Sequence, residues 1–273
     1  MAFIDAHTHT FLRGPEDLAA MARAGVESAV VCAFLPVPAS GACSLIDLFF
    51  WLDDVERKRL VQAGIRPIIA IGVHPRALPP ETELDRVLAE MNSLVTSGRA
   101  SAIGEIGLET GSEAEKSLLL RQLRLARDLH ATAIVHTPRA DKRERLRETL
   151  RLVDEVGIAP GRVILDHLTP DLVAELDARS RHFWMGLTVQ PGKTTPEQLA
   201  DLVMARGTRR LIVNSDLSHM PSWPDALAKT AQRLGELGLK PEDIERLTRS
   251  NAKEAFGLPD ARPVTAKHTS SVT

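Results

Sequence analysis

The sequence predicts an α/β protein built on a parallel sheet, and three observations carry the expectation. Eight short runs rich in Ile, Val, Leu and Ala recur along it, at residues 3–7, 28–33, 67–73, 101–106, 132–136, 163–167, 183–187 and 210–214. None alternates cleanly between apolar and polar residues, which is the pattern of strands buried on both faces. Longer amphipathic or charged segments separate the runs, as expected for parallel strands joined by right-handed crossovers. Periodicity alone leaves open whether the sheet closes into a barrel or stays open and doubly wound.

Taken in order, the first run leads into Asp5-Ala6-His7-Thr8-His9. After the second comes a segment, 44–61, that is helical at its charged end but opens on Leu48-Phe49-Phe50-Trp51. Packing over the core is the simplest role for it, with a subunit contact as the alternative. The third run ends in Gly72-Val73-His74-Pro75, and Leu84, Val87, Leu88, Met91 and Leu94 then follow helical spacing. The fourth contains Glu105, and Leu119, Leu123, Ala126 and Leu129 mark the next helix. The fifth ends in His136-Thr137-Pro138 and is followed by an Arg-rich helix, 142–151, expected to be a solvated face. The sixth ends in Asp166-His167, and the last in Asn214-Ser215-Asp216. One domain is expected over residues 1–258, with a polar, disordered tail over 259–273.

Composition excludes several classes. The chain has 273 residues, 44% hydrophobic and 26% charged, ordinary for a globular protein with a large core. A net charge of -2, from 34 basic and 36 acidic residues, lacks the basic excess of proteins that hold long nucleic acid by charge. Nucleic acid is therefore not indicated by charge, whereas a small molecule or a short phosphoester stays open as substrate. Cys32 and Cys43 form neither a metal motif nor a disulfide framework. No apolar stretch reaches the ~18 residues of a membrane span, and the N-terminus lacks a secretory pattern, so a cytoplasmic location is expected.

The chemistry gathers at the ends of the runs. Residues two apart on a strand share a face, so His7 and His9 aim the same way, an arrangement suited to a divalent ion. Of nine histidines, five (His7, His9, His74, His136 and His167) lie at run ends, joined there by Glu105 and Asp216. In a parallel barrel those ends share one face, where active sites are built. A buried carboxylate left unpaired costs several kcal/mol, and metal coordination is a common resolution.

At these residues the chain resembles the TatD family of metal-dependent hydrolases, within the wider amidohydrolase superfamily. The matching pieces are Asp5-Ala6-His7-Thr8-His9, Gly72-Val73-His74-Pro75, Gly104-Glu105-Ile106-Gly107-Leu108, His136, His167, Asp216 and the closing segment Asn251-Ala252-Lys253-Glu254-Ala255-Phe256-Gly257-Leu258. The resemblance spans residues 3–258 and selects a (β/α)8 TIM-type barrel. It implies two divalent ions, one held by His7, His9 and Asp216, the other by His136 and His167, with Glu105 bridging them. It also implies that Asp216 takes a proton from the attacking water and that His74 faces the substrate or lines the pocket. Mixed imidazole and carboxylate donors suit Zn, Mn, Fe or Ni, and less exclusively Mg. Arg139 is a candidate for binding an anionic substrate group.

The loops depart from the family pattern. Glu109 stands where Asp is usual, Pro138 where Arg is usual, Asp166-His167-Leu168-Thr169-Pro170 replaces a Cys- and Gly-containing turn, and Asn214-Ser215-Asp216 replaces Glu-Thr-Asp. The resemblance therefore implies a hydrolase, on a phosphoester or other ester bond, without implying the nuclease activity of some members. Amide or lactone hydrolysis is the alternative chemistry, and a non-catalytic metal-binding barrel the alternative class. Asp5 and Asp166 are candidates for orienting neighbouring groups, and His219 for reaching the pocket mouth.

Overall fold

A computed structural model describes residues 1–178 and 182–259. Eight strands, β1 (Phe3–Thr8), β2 (Val26–Cys32), β3 (Arg66–Ile71), β4 (Ala102–Gly107), β5 (Thr132–His136), β6 (Val163–Leu165), β7 (Trp184–Thr188) and β8 (Leu211–Asn214), follow one another in sequence order. All seven neighbouring pairs are parallel. β8 returns to β1 at the carboxyl rim, where the Asp216 N–H donates to the His7 carbonyl at 3.0 Å and the His9 N–H to the Leu217 carbonyl at 2.7 Å. The ring is thus a nearly closed TIM barrel with helices between the strands. Among the described residues no helix is long and apolar enough to cross a membrane.

Two apolar layers explain why the strand sequences do not alternate. Val30 and Cys32, Ile68 and Ala70, Ile134, Ile164, Trp184 and Ile212 pack together inside the barrel, with Ala252 and Ala255 at its amino-terminal end. The intervening Val31, Ile69, Ile71, Val135, Leu165 and Val213 pack outward against the helices. Both sets are excluded from water, so both are apolar. Toward the carboxyl rim the inward series turns polar at the same two-residue step, from Ile134 to His136, Ile164 to Asp166, and Ile212 to Asn214.

Boundaries moved by one or two residues, and β6 shows why. It stops at Leu165, short of the expected residue 167, because His167 adopts φ +58°, a left-handed backbone that ends the strand. In the unusual segment, Phe49 and Leu52 are fully buried, while Phe50 and Trp51 are 37% and 49% exposed. That stretch is therefore only half a core element, because Phe49 and Leu52, three apart, share the face turned to the core while Phe50 and Trp51 lie off it; the helix takes π winding over Trp51–Glu56. The Arg-rich helix Lys142–Val156 does present Arg143 and Arg147 to solvent, but Lys142 turns inward, a correction to the solvated face expected there. The disordered tail expected beyond residue 258 falls, from 260 onward, outside the described residues.

Candidate metal centre

The end of β1 sets two imidazoles side by side. The His9 Nδ1–H donates to the Cys32 carbonyl at 2.8 Å, leaving the lone pair on Nε2. His7 Nδ1 donates to Asp166 Oδ2 at 2.5 Å, which leaves His7 Nε2 to hold either a proton or an ion. The two Nε2 atoms stand 3.3 Å apart. Ligand bonds of ~2.0–2.1 Å in tetrahedral array give about that separation. Burial opposes a charge on His7, yet Cys32, Glu105 and Asp166 together raise its pKa well above the ordinary value. His9, buried beside that charge, is lowered. The surroundings thus favour positive charge on His7 and oppose it on His9.

Glu105, on β4 and 2% exposed, divides its oxygens between two groups of imidazoles. Oε2 lies 3.5 Å from His7 Nε2 and 3.6 Å from His9 Nε2. Oε1 lies 2.9 Å from His136 Nδ1 and 3.1 Å from His167 Nε2. Burial would raise this carboxyl, but the surrounding imidazoles hold it well below its usual range, so it stays ionised. His136 gives its other nitrogen to Glu109 Oε2 at 3.0 Å. Glu109 is itself held in place, because Glu115 accepts from the backbone N–H groups of Glu109, Thr110 and Gly111 at 2.8, 2.9 and 2.9 Å.

Asp216 completes the cluster from just beyond β8, in a left-handed backbone at φ +47°. Oδ1 lies 3.4 Å from His9 Nε2, and Oδ2 lies 2.6 Å from Lys193 Nζ. His7, His9, Glu105, His136, His167 and Asp216 therefore converge at one rim, although the chain separates the first from the last by most of its length. Strained backbone at both His167 and Asp216 is the kind of feature that collects at functional sites. The donor set of four imidazoles and two carboxylates fits divalent transition ions.

His74 and Arg139 take different positions. His74 is 1% exposed and packs between Phe34 and His136, one layer beneath the cavity wall rather than on it. Its Nδ1 accepts from the Arg76 N–H at 3.1 Å, so Nε2 carries the hydrogen and points a donor toward Glu105 Oε2 at 3.8 Å. That tautomer has no lone pair for an ion there, although His74 stands within ligand distance of Glu105 and His136. Arg139 is exposed at the mouth of the cavity.

The cavity above the cluster measures about 440 Å³. Arg76, Arg139, Lys142 and Lys193 give it four cationic side chains. Lys142 Nζ donates to the Thr137 and His167 carbonyls at 2.9 and 2.7 Å. Burial, then the nearby Lys193, lowers the Lys142 pKa to about 8. On another wall His219 stacks on Phe34 with ring centroids 5.9 Å apart and planes at 11°.

Comparison with known proteins agrees with this architecture. Residues 4–257 match the family described as TatD related DNase. The chain belongs to the TatD family. A metal-dependent hydrolase of Methanocaldococcus jannaschii is 36% identical to this TatD protein over 256 residues, covering 93% of this chain and 100% of the relative. The solved TatD-like protein of Archaeoglobus fulgidus, 27% identical, gives a TM-score of 0.80 over 94% of this chain and 100% of its own. The Escherichia coli phosphotriesterase homology protein, solved with phosphate in its active site, gives 0.72 at 15% identity over 93% and 98% of the two chains, a likeness of fold. This TatD protein is a metal-dependent hydrolase.

Sequence reasoning does not single out Lys193, Lys142 or Thr188, and it notes Asn214 only as a departure from the family pattern. Thr188 and Asn214 lie on the inward two-residue series of β7 and β8, a signal that extending the strand register to the rim would have read. Lys193 and Lys142 sit in loop and helix positions whose direction only the folded backbone fixes.

Proposed function

We propose that this TatD protein hydrolyses a phosphoester at a two-ion centre, with His7, His9 and Asp216 holding one divalent ion, His136 and His167 the other, and Glu105 shared between them. The observation that carries this reading is the division of the Glu105 oxygens, one toward each pair of imidazoles. Bound divalent ions would lower the pKa of water toward ~7 and so supply a nucleophile at neutral pH. Asp216 accepts the proton of the attacking water, since it is an ionised carboxylate at the cavity floor: burial alone would raise it, but Lys193 and the neighbouring imidazoles keep it lowered. Arg76, Arg139, Lys142 and Lys193 attract and orient an anionic group above that floor. These four cations favour a phosphate-bearing substrate over a neutral lactone or ester. The Phe34–His219 pair offers a flat surface for an aromatic portion of the substrate.

The test is a panel assayed with metal-stripped protein and with added Mn or Zn: phosphomonoesters, phosphodiesters, a short oligodeoxynucleotide, carboxyl esters, lactones and dipeptides. Metal-dependent turnover of phosphoesters is expected. Turnover confined to lactones, esters or dipeptides would overturn the proposal, as would a protein that binds no divalent ion.

A further inference from the structure

At the amino-terminal end of the barrel, opposite the metal centre, a second cavity of about 340 Å³ opens beside the starts of β7 and β8. Arg209 and Arg210, which lead into β8, line it together with Arg246 and with His182, which leads into β7. Its volume falls in the range of cavities that hold small ligands. None of these residues takes part in the chemistry proposed at the rim.

Unbalanced charge distinguishes this cavity. Elsewhere Arg57, Arg145 and Arg249 each face a carboxylate. Among the described residues no carboxylate forms an ion pair with Arg209, Arg210 or Arg246, and Glu254, which also lines the cavity, pairs with none of the three. Guanidiniums that share a cavity repel one another, and arginine cannot shed its proton to relieve the repulsion.

The cations are also held ready. The Arg210 guanidinium lies over the Trp184 ring, 4.6 Å from its centroid. Trp184 is fixed in turn, because its indole N–H donates to the Gly161 carbonyl at 3.0 Å. Arg210 Nη1 is nevertheless buried and has no hydrogen-bond partner, so nothing offsets the charge that stacking holds there. Arg209 Nη2 donates to His182 Nδ1 at 3.1 Å, which tethers the second guanidinium to the wall. Arg246, exposed at the start of the π-wound turn Arg246–Ser250, makes no hydrogen bond or ion pair among the described residues. An anion entering the cavity would relieve the repulsion and find donors already in place.

We infer that this cavity is a second binding site, separate from the metal centre, for a phosphate group held by Arg209, Arg210 and Arg246, carried by a small phosphomonoester or present as the free ion. Guanidinium forks match phosphate oxygens. Phosphate suits the site better than a carboxylate does, because three forks can divide the three terminal oxygens of a monoester, whereas a carboxylate offers two.

The test uses the full chain stripped of metal and follows the Trp184 indole N–H by NMR. That group lies beneath Arg210 and reports occupancy locally, apart from any anion bound at the rim. Titration with glycerol phosphate, inorganic phosphate and succinate, at constant ionic strength, should give a saturable shift with the phosphates and a much weaker response to succinate. The tighter of the two phosphates identifies the source. Arg246→Gln should weaken phosphate binding about 10-fold, and Arg209→Gln combined with Arg246→Gln about 100-fold, with circular dichroism unchanged. A Trp184 resonance that neither phosphate moves overturns the inference. So does succinate binding as tightly as phosphate, or an affinity unaltered in the double variant.

Discussion

Lys193 Nζ lies 2.6 Å from Asp216 Oδ2, on the carboxylate oxygen opposite the one that faces His9. Each oxygen of Asp216 thus has its own partner, and the ammonium fixes the plane of the carboxylate while projecting positive charge into the cavity. Lys193→Met removes the charge and keeps most of the stem. We expect kcat to fall and KM for an anionic substrate to rise, with kcat/KM down roughly 10- to 100-fold. Lys193→Arg, which retains the charge, should recover part of KM and less of kcat, because the planar fork cannot reproduce a point contact. Steady-state kinetics that leave Lys193→Met unchanged would remove Lys193 from the site.

Asp216→Asn separates the proton acceptor from its surroundings. The amide keeps an oxygen for the His9 side but cannot take a proton. A loss of about 10²- to 10⁴-fold in kcat is expected, with the fold intact by circular dichroism. A variant as fast as wild type would exclude Asp216 as the base.

Metal removal should be visible in stability as well as activity. An ion that binds only the folded chain adds about 2.7 kcal/mol at a concentration 100 times its Kd. For a chain of this size each kcal/mol moves Tm by roughly 2–4 °C. Adding Mn or Zn to stripped protein should therefore raise Tm by several degrees, and a chelator should reverse it. The rise should be smaller in His7→Ala. A Tm indifferent to both metal and chelator would argue against ions held by the folded chain.

Much of this was legible in the sequence, for a physical reason. Strands buried on two faces must be apolar throughout, so the eight runs stood out, and any polar residue at their ends was conspicuous. That pattern marked His7, His9, His74, Glu105, His136, His167 and Asp216; the resemblance to the TatD family chose six of them, without His74, as ligands, and the structure brings those six to one rim. The supporting residues were hidden because Thr188 and Asn214 are common polar types whose role depends on inward register near the rim. Lys142 was masked by its company, since one inward lysine in an Arg-rich helix reads as surface. The end of β6 was misjudged because no sequence pattern announces the left-handed backbone at His167.

Gly186 illustrates how tightly Asp166 is enclosed, with its Oδ2 accepting from His7 Nδ1 at 2.5 Å and its Oδ1 from the Asn214 amide at 2.9 Å. A Cβ built there would stand 2.0 Å from Asp166 Oδ1 and 3.1 Å from the Asp166 Cα. The carboxylate cannot swing away without losing His7 and Asn214, and the backbone atom cannot move without shifting β6. Gly186→Ala is therefore expected to cost about 1–3 kcal/mol in chemical denaturation, the range for overpacking a core. It should also weaken metal binding more than its stability loss alone implies. A variant with wild-type stability and metal affinity would mean that Asp166 has freedom the packing denies it.

The most direct electrostatic check concerns His167. Burial first, and the Lys193 charge second, lower its pKa from 6.5 to about 4. Between those values the unfolded chain is protonated at this position and the folded chain is not. This imidazole therefore contributes stability that is fully present above pH 6.5 and is lost as pH falls toward 4. His136 is shifted upward, against its burial, by the carboxylates of Glu105 and Glu109, and His7 is raised too, so both contribute with the opposite sign. A bulk unfolding curve would mix the three, whereas histidine NMR on the metal-free protein resolves them. The His167 resonance should hold its neutral position from pH 8 down to about 5 and titrate near 4. In Lys193→Met its midpoint should rise, because an adjacent positive charge has been removed while burial is unchanged. A midpoint near 6.5 in the wild type would contradict the burial of this imidazole, and one that falls in the variant would show that the ammonium does not face it.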